Sequence, residues 1–320
     1  MGSAITHPIS VRIACAEKVA ADIHLFELRA RDAAGLPPFT AGAHITVKSP
    51  NGSLRKYSLC NDPAERDRYV IAVKRDPAGR GGSVDLVDNT HAGDTVQVSA
   101  PHNAFDLAGK APAFILIAGG IGITPIIAMA RQLNGEGRRY RLYYLTRSAE
   151  HTAFREELAG GDFIGKVVIH HDGGDAANAF DLWPILEKPS PAHVYCCGPR
   201  PLLEAVRDMT GHWSPAAIHF ESFIDAGAAA RPDDKAFTVV LAKSGDRIVV
   251  APGVSILEAM REHGHEAPSS CESGTCGTRR TRLVSGEADH RDLVLMDDEK
   301  ASQIMICISR SRSPELVIDR

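Results

Sequence analysis

The stretch AFILIAGGIGITPIIAMA, residues 113–130, constrains the fold of this chain more than any other. An unbroken apolar run reaches two adjacent glycines, a third follows at Gly122, and apolar residues then recur at helical spacing in ITPIIAMARQLNGEG. A continuous apolar run of that length reads as a strand covered on both faces. Followed by a helix, it is the repeating unit of a parallel sheet wrapped by helices. The glycines and Pro125 break the segment too often for it to cross a bilayer. Further buried-looking strands, RYRLYYLTR, GKVVIHHD and HVYCCGP, alternate with helical stretches downstream. Residues 109–225 are therefore expected to form an α/β domain.

The texture on either side is different. Before residue 109 come short alternating or β-branched runs: VRIACAEKV, IHLFELRA, AHITVKS, KYSLC, YVIAVKR and DTVQVSA. Gly and Pro turns separate them, and strands at that spacing predict a closed antiparallel β-barrel over 1–108. After the sheet region, 226–235 is small, polar and Pro-containing, as linkers are. The last block, 236–320, opens with a hairpin candidate, FTVVLAKSGDRIVVAP, turning at Ser-Gly-Asp. A helix, SILEAMREHG, follows, with Ser255 as N-cap and Gly264 as its stop. A length of 320 residues suits such a division, because one hydrophobic core seldom organises so long a chain. A net charge of −4 with interspersed signs offers no basic stripe for nucleic acid. The N-terminus lacks the charged-then-apolar order of a secretory signal, so a cytoplasmic protein with no membrane or nucleic-acid partner is expected.

Three motifs carry chemistry. Gly119, Gly120 and Gly122 follow a buried strand, where tight turning lets backbone N–H groups approach a pyrophosphate at a helix N-terminus. Cys197, Gly198 and Pro199 end another strand at the carboxyl edge, where open α/β sheets bind ligands. Arg55, Tyr57 and Ser58 in RKYSLCN combine a cation, an aromatic and a hydroxyl at a barrel strand end, suited to a phosphate, a ring face and a ring nitrogen.

In this order, the motifs resemble those of the ferredoxin-reductase-like flavoproteins, with R-x-Y-S on the barrel and GG-x-G-x-TP and C-G-P on the nucleotide domain. With GRGGSVDLV after the fifth barrel strand and a ferredoxin-like last block, the chain resembles the phthalate dioxygenase reductase family, in which FMN replaces FAD. The resemblance implies three domains: an FMN-binding barrel, an NAD-binding α/β domain and an α+β β-grasp domain of the plant-type ferredoxin kind. It implies that Arg55 pairs with the flavin phosphate, Tyr57 packs on the flavin and Ser58 approaches N5. Ala72, Val73 and Lys74 would line the isoalloxazine edge, and Gly82 and Ser83 would open a helix receiving the FMN phosphate. Thr124 and Pro125 would face the nicotinamide, with Cys197 near its reacting carbon, and Glu221 and Phe223 would close over that side; Ser58, Cys197 and Glu221 are thus the catalytic candidates. Cys196, its side chain on the opposite face of the strand, is expected to be core packing. NADH is the expected donor, although Arg147 and Ser148 in YLTRSAEH lean towards a 2′-phosphate. The resemblance also implies electron delivery to a Rieske-type oxygenase acting on an aromatic acid or ether.

The stretch CESGTCGTRRTRLVSG, 271–286, departs from that pattern. Plant-type [2Fe–2S] clusters use C-x4-C-x2-C with a remote fourth cysteine. Cys271 and Cys276 satisfy the first interval, Gly274 and Gly277 suit a loop wrapping sulfide, and Cys307 stands where the remote ligand belongs. Position 279, where the resembled family has a cysteine, is Arg, and a cationic side chain is a poor iron ligand. Three readings stay open. The family function is kept with an unconventional cluster, completed by water, by Thr278 or Thr281, or by an arginine contact; or the cluster is lost and an NADH:FMN diaphorase remains; or Cys271, Cys276, Cys307 and a histidine such as His265 hold zinc in a docking module. Elsewhere, His170 to Gly174 is expected to be a strand end, since adjacent strand residues cannot converge as a facial triad. The acidic run 297–299 reads as a solvated helix start.

Overall fold

A computed structural model describes residues 5, 7–31, 35–223, 231, 233–266, 273–275 and 277–320. The chain divides into two compact units, Met1–His219 and Phe220–Arg320.

The first unit begins with an antiparallel sheet of β1 (Ile9–Ala20), β2 (Ile23–Ala30), β3 (Ala43–Lys48), β4 (Leu54–Ser58) and β5 (Arg68–Lys74), followed by helix α1 (Gly82–Asn89), β6 (Thr95–Val98) and the short β7 (His102–Asn103). The strand order β4-β3-β6-β1-β2-β5, with β7 on β3, closes through an antiparallel bridge between Leu59 and Ile71. It is the expected barrel. Alternation places Val11, Ile13, Phe26, Leu28, Ile45, Val47, Ile71 and Val73 inside, all nearly inaccessible to solvent. Val70 and Ala72, on the opposite face of β5, join a second core with Phe114 and Leu116 of the following sheet and Ile123 and Ile126 of the helix after its first strand.

That sheet comprises β8 (Phe114–Gly119), β9 (Tyr140–Thr146), β10 (Val167–His171), β11 (His193–Cys197) and β12 (Ile218–Glu221), in the order β10-β9-β8-β11-β12. The first four strands pair in parallel, Cys197 opposite Ala118 and Leu142 opposite Leu116. Helix α2 (Ile123–Gly135) is buried along most of its length, as its sequence requires; α3 (Arg155–Leu158), α4 (Trp183–Leu186) and α5 (Arg200–Met209) make the remaining crossovers. Among the described residues no helix is long and apolar enough to cross a membrane.

The second unit has β13 (Phe237–Leu241) and β14 (Arg247–Val250), the predicted hairpin, with Gly245 at φ +79° in its turn. Helix α6 (Ile256–Glu262) is held by a capping box: Ser255 Oγ accepts from Glu258 N, and the Glu258 carboxylate accepts from Ser255 N at 2.9 Å. Then come β15 (Arg280–Ser285), β16 (Ala288–Asp289), β17 (Gln303–Met305), β18 (Arg310–Ser311) and β19 (Glu315–Ile318). The sheet order β14-β13-β19-β15-β17, with β13 and β19 parallel, packs Ile256, Leu257 and Met260 of α6 against Val239, Ile304 and Leu316. This is the expected β-grasp arrangement. The acidic run 297–299 does not start a helix: residues 297–302 form successive turns, in which Glu299 accepts from Met296 N and pairs with Arg280 at 2.7 Å. Bonded to two outside partners, the carboxylate favours the turn over a helix start.

A buried ionic cluster fixes the segment leading into β13. Arg291 lies 2.5 Å from Asp234 and 2.6 Å from Asp289, and Arg310 reaches Asp234 at 3.6 Å. The hydrogen bond from Arg291 draws the Asp234 carboxyl down to about 2.

Candidate functional site

Strand β4 carries Arg55, Tyr57 and Ser58, and sets Arg55 beside the start of α1. The Arg55 side chain lies along Gly82, where an added methyl would stand 2.9 Å from Nε, and its guanidinium also donates to Leu54 O and Arg80 O. Gly81, the N-cap of α1, has φ +80°, and among the described residues no side chain caps the helix. The first amides of α1 therefore lie beside a cation without a side-chain acceptor, an arrangement suited to a phosphate. Ser83 Oγ is bound differently, accepting from Asp76 N at 3.2 Å. Sequence reasoning missed Ser49, whose hydroxyl donates to Gly82 O at 3.2 Å and steadies the turn; nothing local in KSPNG signals a partner 33 residues away.

Tyr57 supplies the test of whether a flavin fits. Its hydroxyl is buried with no hydrogen-bond partner among the described residues, and burial pushes its pKa up to about 12, so it remains a donor. A buried orphan hydroxyl costs about 1–3 kcal/mol, which an acceptor on a bound ring system would offset. Ser58 is also buried, opposite His44 in the β3–β4 register. Along β5, Ala72 faces the inter-sheet core and Lys74 pairs with Asp22 at 3.4 Å. The Val73 side chain points into the barrel core, so a ligand at this edge can use only its backbone.

The two glycine-containing loops of the parallel sheet interlock. A methyl on Gly122 would stand 2.5 Å from the Cys197 carbonyl carbon and 2.8 Å from Gly198 N. One on Gly119 would meet Pro199 Cδ at 2.6 Å, and one on Gly198 would meet Gly119 Cα at 3.0 Å. Gly120 is different: it has open space around it and a φ of +52°, the left-handed turn that glycine adopts without strain. These loops converge at the carboxyl ends of β8 and β11, the edge where ligands of such sheets sit. Thr124 and Pro125 begin α2 there, both buried, and Thr124 Oγ1 donates to Ile121 O at 3.1 Å. Cys197 and Cys196 are both fully buried, and burial raises the Cys196 thiol pKa. Phe223 is exposed and Glu221 half-buried.

At the end of β9, Ser148 Oγ bonds His151 Nδ1 at 2.8 Å and Arg147 lies against Gly174. His170 and His171 end β10 as expected, and Asp172 is turned back onto Gly174 N at 2.7 Å. A groove of about 810 Å³ lies elsewhere on this unit, lined by residues that include Cys15, Glu27, Asn61, Arg68 and Arg131. It shares none of the candidate residues. Two of its lining cations are already paired, Arg68 with Glu65 and Glu27, and Arg131 with Glu157 at 2.6 Å.

In the second unit, Cys271 and Cys276 lie outside the described residues. Cys307 is buried beyond β17. Gly274 and Gly277 have φ of +72° and +74°, and a methyl on Gly274 would stand 2.5 Å from Ile308 Cγ2, so this loop packs against the segment carrying Cys307. Arg280 pairs with Met305 in the β15–β17 register, and Ile306 N donates to Arg279 O at 3.4 Å, which sets position 279 beside Cys307. Thr281 Oγ1 donates to the same carbonyl at 3.4 Å. His265 is 3.4 Å from Asp246. No group of three metal-ligating side chains forms among the described residues.

Comparison with known proteins matches residues 10–107 to the oxidoreductase FAD-binding domain family and 239–312 to the 2Fe-2S iron-sulfur cluster binding domain family. Phthalate dioxygenase reductase of Burkholderia cepacia is 56% identical over 313 residues, 97% of each chain. The chain belongs to the phthalate dioxygenase reductase family. It is an oxidoreductase built of a flavin domain, a nucleotide-type parallel sheet and a [2Fe–2S]-type domain. The reductase is also 53% identical to the phthalate 4,5-dioxygenase oxygenase reductase subunit of Pseudomonas putida, over 97% of this chain and 96% of that one. A solved phthalate dioxygenase reductase, described as modular for electron transfer from pyridine nucleotides to [2Fe–2S], superposes with a TM-score of 0.74 at 55% identity, covering 98% of both chains.

Proposed function

We propose that this reductase takes electrons from NADH through FMN to a [2Fe–2S] cluster and delivers them to a Rieske-type oxygenase acting on an aromatic compound. The division of labour follows the blocks: 1–108 for flavin, 109–225 for nucleotide, 236–320 for the cluster, with 226–235 as linker. The relatives named as reductases of phthalate oxygenases support the partner class, as does vanillate O-demethylase oxidoreductase of Pseudomonas putida at 40% identity. The observation that carries the reading is the buried Tyr57 hydroxyl, without a hydrogen-bond partner among the described residues, on the strand that sets Arg55 beside the start of α1, which no described side chain caps. When bound, a flavin supplies the conversion of a two-electron hydride donor into a one-electron source.

Arg55 and the α1 amides hold a terminal phosphate, which favours FMN because its phosphate needs one anion site and no adenosine contacts. Tyr57 donates to the ring system, and Ser58 offers a hydroxyl at the ring nitrogen that receives hydride. Ala72 and Lys74, with the Val73 backbone, border the ring edge. The loops at Gly119–Gly122 and Cys197–Pro199 bind the nucleotide, Thr124 and Pro125 face the nicotinamide, and Cys197, Glu221 and Phe223 position it and exclude water. NADH is favoured over NADPH because the Ser148 hydroxyl is already engaged by His151. A cytoplasmic location fits this reading, since NADH is a cytoplasmic donor.

The test is reconstitution. Protein loaded with FMN should be yellow, and anaerobic NADH should bleach it; FAD and NADPH should serve less well. A colourless product, or a dye that NADH leaves oxidised, would overturn the assignment.

A further inference from the structure

Gly119 pairs with Leu145 in the β8–β9 register, so Arg147 and Ser148 emerge at the carboxyl edge of the sheet beside the glycine loop. In open α/β sheets that edge meets the adenosine ribose, where a carboxylate takes a 2′-hydroxyl and an arginine accommodates a 2′-phosphate. Arg147 is exposed, its stem lies along Gly174, and its guanidinium pairs with no carboxylate among the described residues. A cation so placed suits NADPH, although the chain is read as an NADH enzyme. The neighbouring Ser148 resolves the conflict. Its hydroxyl lies 2.8 Å from His151 Nδ1 and has no other partner among the described residues. Nδ1 is therefore the acceptor that satisfies its single proton, and a ligand meets only oxygen lone pairs. A ribose 2′-hydroxyl can donate to that oxygen. A 2′-phosphate, which only accepts, cannot.

Resting on the NADH reading above, we propose that His151 decides the nucleotide preference: by holding the Ser148 proton it closes an otherwise formed 2′-phosphate site, whose cation is Arg147 and whose short-range donor is Ser148. His151 is a positioning residue, because it acts through Ser148 and touches no reacting atom. The shape of the loop does not depend on its imidazole. Ser148 O accepts from His151 N at 3.0 Å and from Thr152 Oγ1 at 2.8 Å. With its proton committed there, Thr152 Oγ1 accepts from Thr146 Oγ1 at 2.8 Å, and Thr146 Oγ1 in turn accepts from His171 Nδ1 at 2.8 Å. That relay ties the end of β9 to the end of β10 without using the Ser148 hydroxyl. Removing the imidazole therefore leaves the loop in place and turns the hydroxyl proton towards the ligand.

The experiment uses the full FMN-loaded chain at about pH 8, where imidazoles are ordinarily neutral and a phosphate is fully charged. Isothermal titration calorimetry measures the binding of adenosine 5′-monophosphate and adenosine 2′,5′-bisphosphate, which differ only in the 2′-phosphate. In His151→Ala and in His151→Phe, which keeps the bulk of a ring, the dissociation constant of the bisphosphate relative to the monophosphate should fall about tenfold, the gain of one hydrogen bond to a charged group. His151→Asn, whose amide oxygen can stand where Nδ1 stands, should keep the native ratio, and so should the double variant His151→Ala with Ser148→Ala. In steady-state kinetics the KM for NADPH relative to NADH should fall with the binding ratio while the ratio of kcat values stays fixed. An unchanged or higher binding ratio in both His151→Ala and His151→Phe, or an equal fall in the double variant, would overturn the proposal. Either result in a chain that prefers NADH leaves the donor reading intact, whereas a native chain that uses NADPH as readily as NADH would overturn that reading and the proposal with it.

Discussion

Replacing Gly122 with alanine probes the interlocked loops. The new methyl would lie 2.5 Å from the Cys197 carbonyl carbon and 2.8 Å from Gly198 N, with the carbonyl oxygen closer still. Those are backbone atoms of a strand end and its turn, so no side chain can swing away, and the loops must separate by about 1 Å to restore ordinary contact near 3.5 Å. Overpacking of this kind costs roughly 1–3 kcal/mol. With only backbone to yield, the upper end is expected, or a fall of about 6–12 °C in Tm for a unit of this size. A displacement of about 1 Å between nucleotide and flavin should slow hydride transfer on the order of a hundredfold. The comparison variant is Gly120→Ala, which meets no atom and carries only the cost of a left-handed residue, about 1 kcal/mol. Differential scanning calorimetry and stopped-flow flavin reduction by NADH measure both effects. If Gly122→Ala melts with the native protein and reduces flavin at the native rate, the loops do not interlock as described.

Arg55→Gln removes a charge-assisted contact worth about 1.5–3 kcal/mol, so the FMN dissociation constant should rise roughly tenfold to a hundredfold, measurable by fluorescence titration; an unchanged constant would remove Arg55 from the phosphate site. Tyr57→Phe deletes an orphan hydroxyl, and should stabilise the flavin-free protein by about 1 kcal/mol while the flavin-loaded form gains less or loses. Equal shifts in both forms would show that the hydroxyl does not meet the flavin. Asp234, whose pKa is held at about 2 against an ordinary value near 3.8, contributes stability that is fully present above about pH 4 and lost as pH falls through 2, amounting to about 2 kcal/mol. Urea unfolding of the native chain and Asp234→Asn should therefore converge as pH is lowered from 5 to 2.5, and parallel profiles would refute the link.

Much of the candidate site was legible because its signals are local. The R-K-Y-S strand end, the glycine cluster after a continuous apolar run, and Ser255 three residues before Glu258 each describe one turn or one strand. Such features follow from backbone geometry and short-range capping. The acidic run at 297–299 misled for the same reason: three carboxylates in a row look like a helix start, whereas Arg280, nineteen residues away, holds Glu299 in a turn. Val73 carried no mark of its facing either, because β5 is apolar on both faces, Val73 turning into the barrel core and Ala72 into the inter-sheet core.

By itself the sequence determined the three-block architecture and its order of chemistries, because hydrophobic periodicity and glycine placement act over a few residues. It also displayed Arg279 in place of a cysteine. Only the tertiary structure decided that Gly122 and Gly198 face backbone from another strand, that Arg55 lies on Gly82, and that, among the described residues, Arg291 has carboxylate partners while Arg279 Nε has no acceptor. Burial and partnership depend on residues distant in the chain meeting at one point, and no local pattern encodes which of two arginines will find an anion there.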